Sequence, residues 1–287
     1  MTSALATNRQ WWPAPAKLNL FLHVTGRRAD GFHNLQTLFQ LLEWGDDISF
    51  EITDDARIER LEGPQSVPPT DDLTVRAAQA LQAATGVRRG VLMRVRKRIP
   101  MGSGLGGGSS DAATVLRVLN LLWGTELNPT ELAALGLPLG SDVPVFLHGS
   151  SAWAEGRGEI LTPFELPEAW YLIVHPGVAI ATGSIFQAPE LTRNSPLLTI
   201  RAFSAAQTRN DCETLVRSRY PAVAEALDWL GARSSARLSG TGCCVFASFR
   251  RAADAERVAA QVPDEWTSFV ARGVNRSPLD EALAASA

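Results

Sequence analysis

The run Pro100-Met101-Gly102-Ser103-Gly104-Leu105-Gly106-Gly107-Gly108-Ser109-Ser110-Asp111-Ala112 constrains this chain more than any other segment. Five of its thirteen residues are glycine, and Ala112, Val115, Leu119 and Leu122 follow at the spacing of one helical face. Glycines without a Cβ let successive backbone N–H groups turn toward one point. The start of a helix adds free N–H groups and partial positive charge. Ser109, Ser110 and Asp111 are residue types that cap helix N-termini. Together these features predict a phosphate cradle and a nucleotide ligand rather than a flexible linker.

Three familiar cradles fit poorly. A P-loop needs a lysine directly after its last glycine, and none follows Gly108. A dinucleotide fingerprint on Gly102, Gly104 and Gly107 should lead through its helix to a second strand. Here Asn128-Pro129-Thr130-Glu131 opens another helix instead. A protein-kinase loop needs His-Arg-Asp and Asp-Phe-Gly partners, and neither tripeptide occurs.

The 287 residues, 45% hydrophobic and 20% charged, suit a globular enzyme with two domains. A net charge of −3 argues against a nucleic-acid partner. No apolar run is long enough to span a bilayer, and Met1–Gln10 lacks the apolar centre of a signal peptide. The three cysteines suit neither a disulfide framework nor a metal site, so a cytoplasmic setting is expected. Of 27 basic residues only Lys17 and Lys97 are lysine. A compact, tunable ammonium has survived at these two positions in a chain that otherwise uses the bulky, permanently charged guanidinium, which marks both as candidate functional residues.

Strands are expected over 18–24, 48–52, 91–98, 171–174, 236–239, 244–249 and 266–271, and helices over 73–84, 112–122, 221–230 and 252–262. A further helix after Asn128 runs to Leu135, and Gly140-Ser141-Asp142-Val143-Pro144 is a turn into a short apolar segment. Strands and helices mix without steady alternation, which reads as α+β in two domains, 1–155 and 156–287.

Four further segments join the glycine run in one resemblance: Pro15-Ala16-Lys17-Leu18-Asn19-Leu20, Arg28 to Thr37, Leu139 to Phe146, and Leu238-Ser239-Gly240-Thr241-Gly242 continuing to Phe246. Together they resemble the GHMP small-molecule kinases. Within that superfamily they look like the branch whose alcohol substrate carries a cytidine diphosphate group. The resemblance implies a ribosomal-protein-S5-like N-terminal domain and a ferredoxin-like C-terminal domain with the active site between them. It also implies ATP and Mg²⁺ as cofactors, a small-molecule substrate, and no nucleic acid, membrane or obligate protein partner. A GHMP kinase for another alcohol and a non-catalytic GHMP-fold binding protein are the alternatives. The segment around Phe32 and His33 argues against the first, and retention of Lys17 and Asp142 against the second.

The resemblance assigns roles residue by residue. Lys17 and Asp142 would be the catalytic pair, the aspartate taking the hydroxyl proton and the lysine keeping it ionised. Pro100, Met101, Gly102, Ser103, Gly104, Leu105, Gly106, Gly107, Gly108, Ser109 and Ser110 would hold the ATP phosphates, with Ser109 or Ser110 reaching Mg²⁺. Lys97 and Asp72 would lie on the adenine side. Phe32, His33, Phe186, Gly240, Thr241 and Gly242 would bind the substrate, the two phenylalanines covering the faces of the cytosine and His33 reading its edge. The chain departs from the family pattern at Phe32, usually tyrosine, which keeps a stacking face but no hydroxyl, and at Asp72, often asparagine, which removes an amide donor.

Overall fold

The computed structural model describes residues 9–203 and 208–286. The N-terminal stretch judged to lack a signal peptide therefore lies mostly outside the described residues.

The chain opens on two long antiparallel strands, β1 (Trp12–Arg27) and β2 (His33–Thr53). They span more than the expected 18–24 and 48–52, because Leu35–Leu42 continues as strand into Ile48–Ile52. Both strands are buried on both faces over most of their length. That burial takes in polar residues as well as apolar ones, among them Lys17, Asn19, His23, Gln36 and Gln40. Their register slips between Pro15 and Lys17, between Asn19 and Leu22 and between Val24 and Gly26. Each slip re-aims the side chains that follow.

The short strand β3 (Ile58–Glu62) has no strong sequence signal and lies parallel to β4 (Gly90–Arg96), which is antiparallel to β2. Between them runs helix α1 (Leu73–Thr85), capped by Asp72 at its start and closed by Gly86 in the left-handed conformation. Helix α2 (Gly107–Leu122) buries Ala112, Val115 and Leu119 completely against the sheet, with Leu122 partly covered. Its N-cap is Gly106, so Ser109 and Ser110 stand in the first turn and Asp111 just beyond it, rather than at the cap. The short helices α3 (Pro129–Gly136) and α4 (Val143–His148) follow, α3 with a complete capping box between Asn128 and Glu131.

Strands β5 (Ala152–Glu155) and β6 (Ile160–Pro163) form a hairpin whose first strand pairs with β2. The expected division at residue 155 falls inside this hairpin.

In the second half, β7 (Trp170–His175) and the short helices α5 (Thr182–Phe186) and α6 (Glu213–Arg219) precede α7 (Pro221–Gly231). Then come β8 (Ala236–Leu238), β9 (Val245–Phe249), α8 (Ala252–Ala259), β10 (Thr267–Val274) and α9 (Pro278–Ala284). The strands order as β10-β7-β9-β8, all antiparallel, and β10 also meets β2 through Gly273–Leu42 and Val274–Leu41. One sheet thus runs through both halves of the chain. Each half has its own apolar core, and a third cluster of Leu18, Leu42, Ile99, Leu105, Tyr171 and Phe246 fills the seam. Among the described residues no helix is long and apolar enough to cross a membrane.

The seam also carries backbone contacts. The N–H of Cys243 donates to Gly102 O at 3.3 Å, that of Cys244 to Ser103 O at 3.0 Å, and the Ser239 hydroxyl to Gly104 O at 2.9 Å. A Cβ on Gly104 would sit 2.1 Å from Ser239 O, at a φ of +77°. Gly104→Ala therefore combines left-handed strain of about 1–2 kcal/mol with a clash against backbone that cannot swing away. The expected loss is about 3 kcal/mol or more of unfolding free energy, read as the midpoint shift in urea at constant slope.

Candidate active site

The glycine run leaves β4 and reaches α2 through three left-handed glycines, Gly102, Gly104 and Gly106. The first intrahelical bond of α2 goes from Ser110 N–H to Gly106 O. The amides of 107–109 are therefore left without an intrahelical acceptor, in residues that line the cleft. A Cβ on Gly106 would come within 2.9 Å of the Phe146 ring and 3.1 Å of Lys17 Cε. Close approach of the loop to its neighbours thus requires glycine there.

Two lobes of one cleft meet at this loop. The first, about 610 Å³, is lined by Lys17, Phe32, His33, Phe186, Gly240 and Thr241 among others. The second, about 390 Å³, is lined by Asp72, Lys97 and the glycine run from Pro100 to Ser109 except Leu105. Gly104, Ser109, Asp142 and Thr182 line both. Three of the expected residues stand behind the walls. Leu105 is a core side chain whose carbonyl accepts from Lys17 N–H at 3.0 Å, Ser110 is fully buried, and Gly242 lines neither lobe.

Lys17 lies in β1 just past a register slip and is 2% exposed. Its Nζ donates to Asn19 Oδ1 at 2.5 Å and to Gly104 O at 3.0 Å, and lies 3.2 Å from Asp142 Oδ2. Asp142 is the N-cap residue of α4, yet its side chain makes no capping bond. Its carboxylate is turned to Lys17 instead, one-third exposed at the junction of the lobes. Asn19 is fixed in turn by donating to Thr37 Oγ1 at 2.9 Å.

The other lysine, Lys97, directly follows β4 and is drawn inward rather than solvated. Its Nζ lies 2.5 Å from Asp46 Oδ2 and 2.8 Å from Asp111 Oδ2. Asp46 also accepts the backbone N–H groups of Arg98 and Ile99 at 2.5 and 2.8 Å. The triad pins the strand end from which the glycine loop departs. Burial opposes the charged form of Lys97, but the Asp111 and Asp46 carboxylates outweigh it and raise its pKa. Burial pushes the Asp111 carboxyl up to about 7, with Lys97 pulling against it and Asp46 adding to it. Asp111 Oδ1 and Ser110 Oγ are both buried without a hydrogen-bond partner.

Asp72 is engaged locally: one oxygen accepts from the Thr74 amide and hydroxyl, the other pairs with Arg60 at 2.5 Å. It borders the second lobe, but its oxygens are already used.

In the first lobe His33 and Phe186 stack on each other, ring centres 5.4 Å apart and planes at 28°. Phe32 is 46% exposed, and the Arg157 guanidinium lies 3.6 Å from its ring centre. Thr241 Oγ1 is 3.2 Å from Thr182 Oγ1. Asn19, Arg157, Thr182 and Arg193 are site neighbours that sequence reasoning did not select. For Arg157 a signal existed in Gly156-Arg157-Gly158, whose two glycines adopt φ of +70° and +109°. Nothing local marks Thr182 or Arg193. Among the described residues no group of three or more His, Cys, Asp or Glu could hold a metal ion.

Residues 72–150 match the GHMP kinases N terminal domain, and residues 191–268 the GHMP kinases C terminal domain. The 4-diphosphocytidyl-2-C-methyl-D-erythritol kinase of Alkalilimnicola ehrlichii is 56% identical over 268 residues, covering 93% of this chain and 92% of that one. That of Halorhodospira halophila is 56% identical over 279 residues, covering 96% and 97%. A crystal structure of 4-(cytidine 5'-diphospho)-2C-methyl-D-erythritol kinase superposes with a TM-score of 0.80 at 33% identity, over 92% of this chain and 99% of that one. A homoserine kinase from Cytophaga hutchinsonii, 15% identical with a TM-score of 0.64 over 96% of this chain, shares the fold.

The buried triad predicts a pH signature. A carboxyl whose folded pKa is raised binds its proton more tightly in the native state. Its contribution to stability is therefore lost as pH rises from the unfolded value near 4 through about 7. Asp111→Asn removes that titration. Its stability relative to the parent should improve between pH 5 and pH 8, as read from urea midpoints at both values, whatever constant cost the lost Lys97 contact adds.

Proposed function

Because this chain belongs to the 4-diphosphocytidyl-2-C-methyl-D-erythritol kinases, a branch of the GHMP kinases, we propose that its two lobes divide ATP from its alcohol substrate. The protein is an ATP-dependent kinase of the two-domain α+β GHMP fold. It phosphorylates the 2-hydroxyl of 4-diphosphocytidyl-2-C-methyl-D-erythritol, a step of the non-mevalonate isoprenoid route. In this reading the nucleotide-side unit runs through the β5–β6 hairpin to Pro163 and the substrate-side unit follows, with α9 returning to pack on the first.

The observation that carries the assignment of roles is the Lys17–Asp142 pair at the junction of the lobes. Phosphoryl transfer asks the protein to hold the donor in line with the hydroxyl and to offset charge. The glycine-run amides and the start of α2 supply the second lobe with N–H donors for phosphate oxygens. Asp142, open to both lobes, accepts the hydroxyl proton. Lys17, held by Asn19 Oδ1 and Gly104 O, lies 3.2 Å from that carboxylate and faces the transferring group. Ser109 is the better of the two serines for Mg²⁺, since it lines both lobes whereas Ser110 is buried. A magnesium ion there would offset phosphate charge while keeping most of its oxygen ligands from ATP and water. Lys97 serves the second lobe by fixing the loop rather than by offering a free charge. Phe32, His33, Phe186, Gly240 and Thr241 form the substrate side, with Arg157 as an added wall.

The reading is tested by ADP release with 4-diphosphocytidyl-2-C-methyl-D-erythritol against homoserine and mevalonate. Turnover is expected with the first alone. Asp142→Asn should lower kcat by about two orders of magnitude and leave ATP binding unchanged by calorimetry. A variant keeping more than about half its turnover would remove Asp142 as the base, as a dissociative transition state permits. Lys17→Arg keeps the charge, but the ammonium is enclosed, with Gly106 packed against its Cε. A guanidinium would be displaced onto Asp142 in two-point fashion. Its kcat should fall at least about tenfold, and near-normal turnover would remove the requirement for a compact cation.

A further inference from the structure

The two rings that stack in the first lobe come from distant parts of the chain, and one side chain joins them. Arg193 lies on the segment after α5 and is half-buried. Its Nε donates to His33 Nε2 at 3.0 Å. Its Nη2 donates to Phe186 O at 3.0 Å and Ala188 O at 2.5 Å, and its Nη1 to Leu191 O at 3.0 Å and Pro189 O at 3.3 Å. Four of these acceptors are the carbonyls that end and follow α5, the helix that carries Phe186. Two residues on, Ser195 N–H donates to Val24 O at 3.1 Å and Ser195 Oγ to Asp211 Oδ2 at 2.6 Å, so the segment is anchored beyond Arg193 as well.

We propose, on the basis of the function assigned above, that Arg193 is a positioning residue for the substrate: it fixes His33 as the neutral Nδ1–H tautomer and locks it to the end of the helix that carries Phe186. A guanidinium only donates and does not give up its proton. The imidazole nitrogen that receives its N–H is therefore the unprotonated one, and the ring proton of neutral His33 sits on Nδ1. The charged groups acting on the ring are both cations, Arg193 from the segment after α5 and Arg27 from β1, and Phe186 packs from α5. Burial first, then Arg193 and Arg27, lowers the His33 pKa below its ordinary value, in keeping with a ring held neutral.

Two readouts test this separately. In the wild-type protein, ¹⁵N imidazole shifts of His33 at pH 8 should report the neutral ring protonated on Nδ1. In Arg193→Gln the ring should lose that preference and titrate at higher pH, because an adjacent cation and the donor to Nε2 are gone. The KM for the cytidine-diphosphate substrate should rise about tenfold in that variant, with kcat and the KM for ATP within about a factor of two. Arg193→Lys keeps the cation and one donor but cannot span the carbonyls. It should fall between the two, and it is the variant to read if the glutamine form does not fold. A wild-type His33 protonated on Nε2, a substrate KM unmoved in both variants, or an equal rise in the KM for ATP would overturn the proposal. A wild-type protein that leaves this substrate unphosphorylated would overturn the functional assignment, while the tautomer result would still stand on its own.

Discussion

Everything in the cleft depends on backbone meeting backbone at the seam. The glycine loop lies so close to the turn 239–244 that carbonyls of one accept amides and a hydroxyl of the other, with no side chain between them at Gly104. This contact holds the loop open toward the cleft while its carbonyls are occupied from behind. Carbonyl dipoles left facing a phosphate would repel it; those of Gly102, Ser103 and Gly104 are instead tied to Cys243, Cys244 and the Ser239 hydroxyl. The same contact fixes Gly104 O, which holds Lys17 from a third direction.

Both lysines are buried among oxygens, and the two clusters divide the labour. Lys97 between Asp46 and Asp111 is a closed unit with more negative than positive charge, and one carboxyl responds by rising toward neutrality. Such a cluster is costly to bury and strongly destabilising to break. Its return is a strand end that cannot drift as it hands over to the loop. Lys17 faces one carboxylate and two neutral oxygens, a cluster left open on the side of the cleft.

How much of this could be read from the sequence depends on how local each signal is. The glycine loop, the course of α2, the start of α3 at Asn128 and the span of α1 were legible because turn signals and helical periodicity are written in nearby residues. The short elements β3, β5, β6, α5 and α6 were not, being four to seven residues long and held by tertiary pairing rather than by periodicity. Scarcity of lysine picked out the two buried ammoniums, although it did not say that Lys97 is enclosed by carboxylates. Asp46 gave no sign of its role, because its three partners lie some fifty residues away. Arg193 was invisible for the same reason: its meaning lies in His33, 160 residues distant.

The shared sheet has a mechanical consequence. β10 belongs to the strand order of the second half and is also paired to β2 in the first. The seam behind it is filled by fully covered side chains such as Leu18, Leu42, Ile173 and Leu105. Swinging the halves apart would break that pairing and wet that core at once, at about 25 cal/mol for every square ångström of apolar surface exposed. Opening between the halves is therefore costly. The parts of the cleft rim that carry little buried surface, among them the turn bearing Phe32 and the loop bearing Met101, both of which stand half in solvent, can move without either cost.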